Sequence, residues 1–309
     1  SAEGILWKVD ETMTKQKGRY YLSRVIKMGE LTQDKLVAAT LNAPVLQIGK
    51  FDWAITDAVD GREHDLKFVF GKLAKYASEG HVTVVDPTNK SQLEALAPNL
   101  LVASSPFVYL PDFSGIAFLH VWNGIQEDLF PKRYCSLIQA AYDNFFVECS
   151  VEPVADYRAF VEKLNNLERI TEMSAKVHPP NPLFGHRWAN LKDYIVRRNA
   201  EEVSIKEKKS DGSGLKTELL ALMKGLLQES KIAPGFDKAV DITDAAMLMA
   251  ADGYGKGKIV GEHDGESVVI RTADTHKSFL FAKVPEPQEL ATSAAKFFQT
   301  ISEERDMGH

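Results

Sequence analysis

A tight-turn signal between two strand-like runs is the feature that most restricts the fold of this 309-residue chain. Residues 258–261 and 267–272 are rich in β-branched side chains, and Asp264-Gly265 lies between them. Asp-Gly favours a two-residue hairpin turn, because both residues tolerate a positive φ angle. A second apolar segment, residues 106–122, is divided by a short polar break that contains Gly115. The sequence therefore predicts antiparallel sheets built from hairpins.

Helical segments are predicted between these strands and after them. Pro131 and Pro153 stand where proline favours the first turn of a helix, and the apolar residues that follow them recur near the helical period. Residues 241–251 and 288–305 have the same pattern. Strands in antiparallel pairs, with helices packed between and after them, indicate the α+β class.

Length and composition are those of an ordinary globular protein. A chain of 309 residues favours two α+β subdomains, residues 1–167 and 168–309, with a single continuous fold as the alternative. The net charge of −6 excludes a small, strongly basic DNA-binding domain but is compatible with local basic patches. Cys135 and Cys149 are too few for a disulfide framework, and no apolar run is long enough to cross a membrane. We therefore predict a cytoplasmic protein without a membrane span.

The sequence contains no motif for a phosphate-binding loop, a metal site or covalent catalysis. No glycine-lysine pair has P-loop spacing, and the histidines lack helical metal-ligand spacing. We therefore predict no cofactor, no metal and no assigned catalytic residue. Two groups that combine acidic side chains with a histidine, residues 262–264 and 274–276, flank one predicted strand. Such groups can bind a metal or transfer protons, so whether the protein is an enzyme stays open.

A basic cluster with interleaved aromatic residues lies in the second half of the chain. Its cations fall in a predicted helix, residues 188–199, and around the polar strand that follows, residues 201–208. Basic side chains release counterions from a phosphate backbone, and aromatic rings stack on bases. Glutamates among the cations leave a simple solvated helix face as the alternative. The predicted nucleic-acid-binding residues are Arg187, Trp188, Lys192, Arg197, Arg198, Lys206, Lys208 and Lys209.

Short motifs follow one another in a recognisable order through the second half of the chain. A strand over residues 169–177 leads to Pro180-Asn181-Pro182, and a later helix ends in Ala-Ala-Asp-Gly-Tyr, residues 250–254. The hairpin at Asp264-Gly265 and the run Arg-Thr-Ala-Asp-Thr-His, residues 271–276, complete the order. This arrangement resembles a bacterial domain-of-unknown-function family, number 4747. It is more loosely similar to the phage-exclusion protein RexA and the DNA-binding subunit of the Kiwa defence system. The resemblance implies an anti-phage or mobile-element context with DNA binding, and it carries no catalytic residues.

Three functions are compatible with these observations. The first is a non-enzymatic component of a bacterial anti-phage defence system that binds or senses nucleic acid and forms a homo-oligomer. The second is a protein-interaction subunit of a larger defence complex, with a partner from the same operon. Its predicted contact surface is the apolar hairpin of residues 107–122, if that hairpin is exposed. The third is a nuclease-like enzyme whose dispersed active site includes the acidic and histidine groups of the second hairpin.

Overall fold

The computed structural model describes residues 16–179, 189–227 and 240–305. In these ranges the chain forms seven α-helices and twelve strands, and every strand pairing is antiparallel. The α+β class predicted from the sequence is therefore confirmed. Arg187 and Trp188 of the predicted basic cluster lie outside the described residues. Among the described helices, none combines the length and apolar character needed to cross a membrane.

A large sheet of eight strands forms the centre of the molecule. Its order is β12-β1-β6-β5-β4-β3-β2, and β7 pairs with the later part of β1, beyond the residues that pair with β12. Because β12 pairs with β1, the sheet contains strands from both ends of the described chain. The strands are β1 (Lys17–Gly29), β2 (Leu46–Ile48), β3 (Phe51–Asp60), β4 (Val69–Asp86), β5 (Ser91–Leu110), β6 (Gly115–Leu119), β7 (Val147–Pro153) and β12 (Ser278–Ala282).

A small sheet of four strands is built entirely from the second half of the chain. Its order is β11-β10-β8-β9, so β9 is an edge strand, as its polar sequence predicts. The turn between β10 and β11 has φ angles of 50° at Asp264 and 78° at Gly265, which confirms the Asp-Gly hairpin. The strands are β8 (Arg169–Val177), β9 (Val203–Lys208), β10 (Gly255–His263) and β11 (Glu266–Arg271).

Helices cover the inward faces of both sheets. The first two pack on one face of the large sheet, while the helices of the second half fill the space between its other face and the small sheet. The helix predicted from Pro153 begins four residues later, because Asp156 caps it by accepting from the N–H of Arg158 at 3.0 Å. The helices are α1 (Gln33–Leu41), α2 (Leu129–Ala140), α3 (Tyr157–Asn165), α4 (Ala189–Arg198), α5 (Leu219–Leu227), α6 (Ile242–Met249) and α7 (Pro287–Glu304).

The predicted hairpin of β5 and β6 is confirmed, but its apolar side chains are not an exposed surface. Phe107 and Phe118 pack against α2 on one face of the sheet, whereas Val108 and Ala117 enter the core on the other face. Burial on both faces explains why the apolar run is continuous instead of alternating with polar residues. Among the large apolar side chains of the segment proposed as a contact surface, Trp122 is the exposed one, at 80%.

The hairpin of β4 and β5 is the longest in the described chain. Residues 69–86 form one continuous strand, and residues 91–110 form the next. β3 pairs with β4 only as far as Tyr76, and β6 pairs with β5 only from Phe107 onwards. Residues 77–100 therefore extend beyond the rest of the sheet as a two-stranded arm, which we call the β4–β5 arm.

Candidate nucleic-acid interface

The outer face of the small sheet carries a compact set of cations. In β8, Met173 and Ala175 are buried against the helices, whereas the alternate residues point to the opposite side. Strand geometry dictates this alternation, because successive side chains leave a strand on opposite faces. We call this outward side the cationic face. Its charged members are Lys176, Lys206, Lys208, Lys256, Lys258, Arg271 and Glu172.

Strand register arranges these residues in three cross-strand rows. Lys176 pairs with Ser204 on one side and with Lys256 on the other. The next row contains Lys206, Ser174, Lys258 and Arg271, and the third contains Lys208 opposite Glu172. Neighbouring strands lie about 4.8 Å apart and alternate residues about 6.6 Å apart. The cations are therefore spaced closely enough to act on one stretch of a charged polymer.

Three carboxylates partly neutralise the cationic face. Glu172 lies between Lys206 and Lys258, with N–O distances of 3.1 and 3.2 Å, and hydrogen bonds from these two lysines hold the pKa of Glu172 below its usual range. Glu202 lies 2.7 Å from Lys176, and Glu152 lies 3.5 Å from Lys256.

Two cations of the face remain outside these ion pairs. In the part of the chain that the structure describes, Lys208 and Arg271 make no ion pair. Six cations against three carboxylates leave the face with a positive surplus, although the whole chain is acidic. A local positive field of this kind attracts polyanions regardless of the net charge of the protein.

Comparison with protein families identifies the chain. A family model described as a domain of unknown function, DUF4747, matches residues 38–232. The chain belongs to this family. No curated protein matches it. The matched residues include β8 and β9, which supply half of the strands under the cationic face of this DUF4747 protein.

The structure brings together only part of the basic cluster predicted from the sequence. Lys206 and Lys208 lie on the cationic face, and Lys209 follows them in an ion pair with Asp211 at 2.9 Å. The remaining described members, Lys192, Arg197 and Arg198, lie on α4, which packs on α6 among the helices behind the small sheet. They therefore belong to a different surface of the DUF4747 protein.

Sequence reasoning missed four of the cations on this face. Lys176, Lys256, Lys258 and Arg271 come from β8, β10 and β11, which are distant from β9 in the chain. One signal was present: Lys256 and Lys258 repeat with the period of two that places both on the same side of a strand. Choosing the partner strands requires the sheet order, which the sequence does not display.

The two acidic groups with a histidine do not form one site in the DUF4747 protein. Glu168, His263 and Asp264 have possible ligand atoms within 4.8 Å of one another, but all three residues are exposed and the Asp264 N–H donates to Glu168. His276 lies beyond the opposite end of β11. This strand has six residues and is therefore about 20 Å long, so the two groups are far apart. There it contacts Ser23 of β1, with Nε2 3.0 Å from Oγ.

Proposed function

We propose that this DUF4747 protein binds nucleic acid on the cationic face, as a non-enzymatic sensing or binding component of a bacterial anti-phage defence system in the cytoplasm. The observation that supports the proposal most directly is the three-row set of lysines and Arg271 on one sheet face. The loose similarity to RexA and to the Kiwa DNA-binding subunit supports the same context and stays a prediction. No described active-site geometry favours the nuclease alternative.

Phosphate contacts would supply the binding energy on this face. Lys208 and Arg271 have no carboxylate partner among the described residues, so they are the first cations available to a phosphate group. Lys206 and Lys258 are held in position by Glu172 and can donate further hydrogen bonds, because each ammonium group has three. The rows on the face contain no aromatic side chain for base stacking. Binding is therefore expected to depend weakly on sequence and strongly on salt.

A salt titration with a matched pair of variants tests this proposal. Fluorescence anisotropy would follow a labelled duplex at several salt concentrations, with wild-type protein, Lys206→Ala/Lys258→Ala and the control Lys90→Ala/Lys296→Ala. The control lysines are exposed and lie on the β4–β5 arm and on α7. We expect the face variant to lose roughly tenfold or more in affinity and to lower the salt slope by about two, and the control to change neither.

Two results would contradict the proposal. The first is the absence of binding by wild-type protein at low salt. The second is an equal loss of affinity in both double variants, which would mean that charge anywhere on the molecule matters and that the cationic face has no special part.

The β4–β5 arm supports a second candidate function, a protein-interaction subunit that forms a homo-oligomer. Register places Val82, Val84, Leu93 and Ala95 on one side of the arm, and both Val84 and Leu93 are more than 40% exposed. A free two-stranded ribbon is marginally stable in water, so an apolar side without cover favours contact with another chain. We infer that the arm of a second copy is the partner.

Light scattering tests this second function. Wild-type protein is expected to run as a dimer, and Val84→Glu/Leu93→Lys as a monomer, because charges would be introduced on the shared apolar side. The control Lys90→Ala changes the tip of the arm and should leave the dimer intact. A monomeric wild-type protein would remove the homo-oligomer, and a protein from the same operon would then be the partner to examine.

A further inference from the structure

A cavity of about 440 Å³ lies beside the cationic face, where the two sheets meet. Its walls come from β1, β7, the start of α2, the start of β10 and the turn before β12. The volume is within the range of about 300–1,000 Å³ that is usual for small-molecule sites in proteins. The wall thus combines segments from both halves of the chain, which is a frequent location for a binding site.

One wall of the cavity is polar and buried. Glu152 is 5% exposed and accepts a hydrogen bond from Ser150, while Ser23 is completely buried and contacts the imidazole of His276. Burial raises the pKa of Glu152, and the Ser150 hydrogen bond and the charge of Lys256 oppose that rise. A carboxylate kept in such a wall is a strong acceptor that selects ligands with N–H or O–H donors.

Apolar side chains form another part of the lining. Pro131 and Pro153 line the cavity together with Val151 and Ala273. Such apolar side chains favour contact with a weakly polar part of a ligand, which leaves water at little cost. The cavity therefore suits a ligand that combines a weakly polar part with hydrogen-bond donors.

The charges at the rim are arranged asymmetrically. Glu127 and Asp128 lie at the α2 side, and Asp128 lies 3.4 Å from Lys132. Lys256 stands at the β10 side, where its side chain is 73% exposed. Lys256 also lies 3.5 Å from Glu152, so an anionic group of a ligand beside Lys256 would share this ammonium group with the carboxylate. The same lysine belongs to the cationic face, so the cavity and the face are continuous at this residue.

We propose that the cavity binds one nucleotide unit, with its phosphate at Lys256 and an amino-bearing base edge at Glu152. This inference partly rests on the proposed function. It extends that function by naming the part of the nucleic acid, one nucleotide, that would occupy the cavity beside the cationic face. Cytosine, adenine and guanine carry exocyclic N–H donors, and carboxylates accept from the amino group of cytosine. Thymine and uracil offer no such amino group.

The same chemistry could be presented by a free nucleotide or by one base of a bound strand. A strand lying on the cationic face would place a terminal or extruded base at the cavity, which requires that base to unstack from its neighbours. Both sources use the same donor edge and the same phosphate. They are distinguished by comparing cytidine and uridine monophosphates with oligo-dC and oligo-dT strands.

Base preference provides a test that does not depend on a loss of folding. Affinities would be measured for oligo-dC and oligo-dT strands of twelve nucleotides, and for the two free monophosphates. Wild-type protein is expected to bind oligo-dC about tenfold more tightly than oligo-dT, as one lost polar contact predicts. Glu152→Gln should remove this preference, because an amide can donate as well as accept. The control Glu148→Gln alters an exposed residue of the same strand and should keep it.

A second variant closes the cavity without touching the core. Ala273 is exposed within its turn, so Ala273→Trp is expected to fold and to weaken oligo-dC binding by about tenfold, because the indole would occupy the space proposed for the base. Thr300→Trp on the exposed side of α7 is the matched control. Thermal unfolding would verify that each variant is folded. If Ala273→Trp does not fold, the base preference of Glu152→Gln alone tests the cavity inference.

The outcomes separate this inference from the proposed function. Equal affinity for oligo-dC and oligo-dT, unchanged by Ala273→Trp, would overturn the cavity inference even where Lys206→Ala/Lys258→Ala still weakens binding. Conversely, cytidine monophosphate binding that is lost in Glu152→Gln, with no binding of any strand, would support the cavity and remove nucleic-acid binding on the face. Absence of binding to strands and monophosphates alike would overturn both.

Discussion

Charged side chains occupy two contrasting regions of this protein, a sealed network in the core and the open cationic face. In the core, Arg305 lies 2.6 Å from Asp252, and each of these side chains is 3% exposed. Tyr157 donates to the same carboxylate at 2.7 Å. On the face, Lys206 and Lys258 share Glu172 but remain open to water. The comparison indicates that exposure decides whether a charge stabilises the fold or is available to a ligand.

The core network explains one of the motifs that carry the family resemblance. Asp252 is the third residue of Ala-Ala-Asp-Gly-Tyr, residues 250–254, and its backbone carbonyl accepts from Arg24 of β1. Gly253 follows with a φ angle of 88°, and a Cβ atom there would lie 2.7 Å from Cγ of Arg24. A glycine is therefore required next to the buried arginine. The motif has a structural role, because it joins β1 to the end of α7.

The largest effect is expected when the buried carboxylate of Asp252 is removed from the core network. Asp252→Ala leaves Arg305 buried without its carboxylate partner, which should cost about 3–5 kcal/mol of unfolding free energy. Urea denaturation would measure the loss. The control Asp211→Ala removes an exposed ion pair with Lys209 and should cost far less, because water screens exposed charges. Similar losses in the two variants would mean that the core network is open to water.

The half-buried imidazole of His276 should make stability depend on pH. Burial lowers the pKa of His276 from 6.5 to about 4. Between these pH values the imidazole is protonated in the unfolded chain and neutral in the folded chain. Its contribution is therefore complete above pH 6.5 and is lost as the pH falls towards 4. We expect wild-type protein to lose roughly 3 kcal/mol more than His276→Gln over this interval. Parallel profiles of stability against pH for the two proteins would show that His276 does not cause this pH dependence.

The central carboxylate of the cationic face should weaken ligand binding. Glu172→Gln removes the charge that Lys206 and Lys258 share, so affinity for a duplex at low salt should rise about threefold to tenfold. The gain should vanish at high salt, because exposed charges are screened. Glu289→Gln on α7 is the control. An unchanged or lower affinity in Glu172→Gln would indicate that the carboxylate mainly holds the lysines in position.

The smallest effect on stability is expected for an exposed lysine of the cationic face. Lys208 makes no described ion pair, so Lys208→Ala should change the unfolding free energy by no more than about 0.5 kcal/mol. The same variant should lower the salt slope of nucleic-acid binding by about one. A clear loss of stability would show that this lysine supports the fold and would weaken the comparison with Arg305.

Local signals in the sequence predicted much of the secondary structure. The strand over residues 169–177, the Asp264-Gly265 turn and the terminal helix agree closely with the structure, because turn chemistry and periodicity act over a few neighbouring residues. The class of the fold follows from these elements. Lys206 and Lys208 were also identified as neighbours on one strand, because residues two apart share a face.

Tertiary structure decided the features that depend on distant pairing. The alternation of β8 predicts an outward side, but only the order β11-β10-β8-β9 brings Lys256, Lys258 and Arg271 beside Lys206. The burial of Arg24 and the cavity at Glu152 likewise need segments that are far apart in the chain. Such contacts arise from long-range packing, whose energy depends on the three-dimensional neighbours of a residue and leaves no local pattern in the sequence.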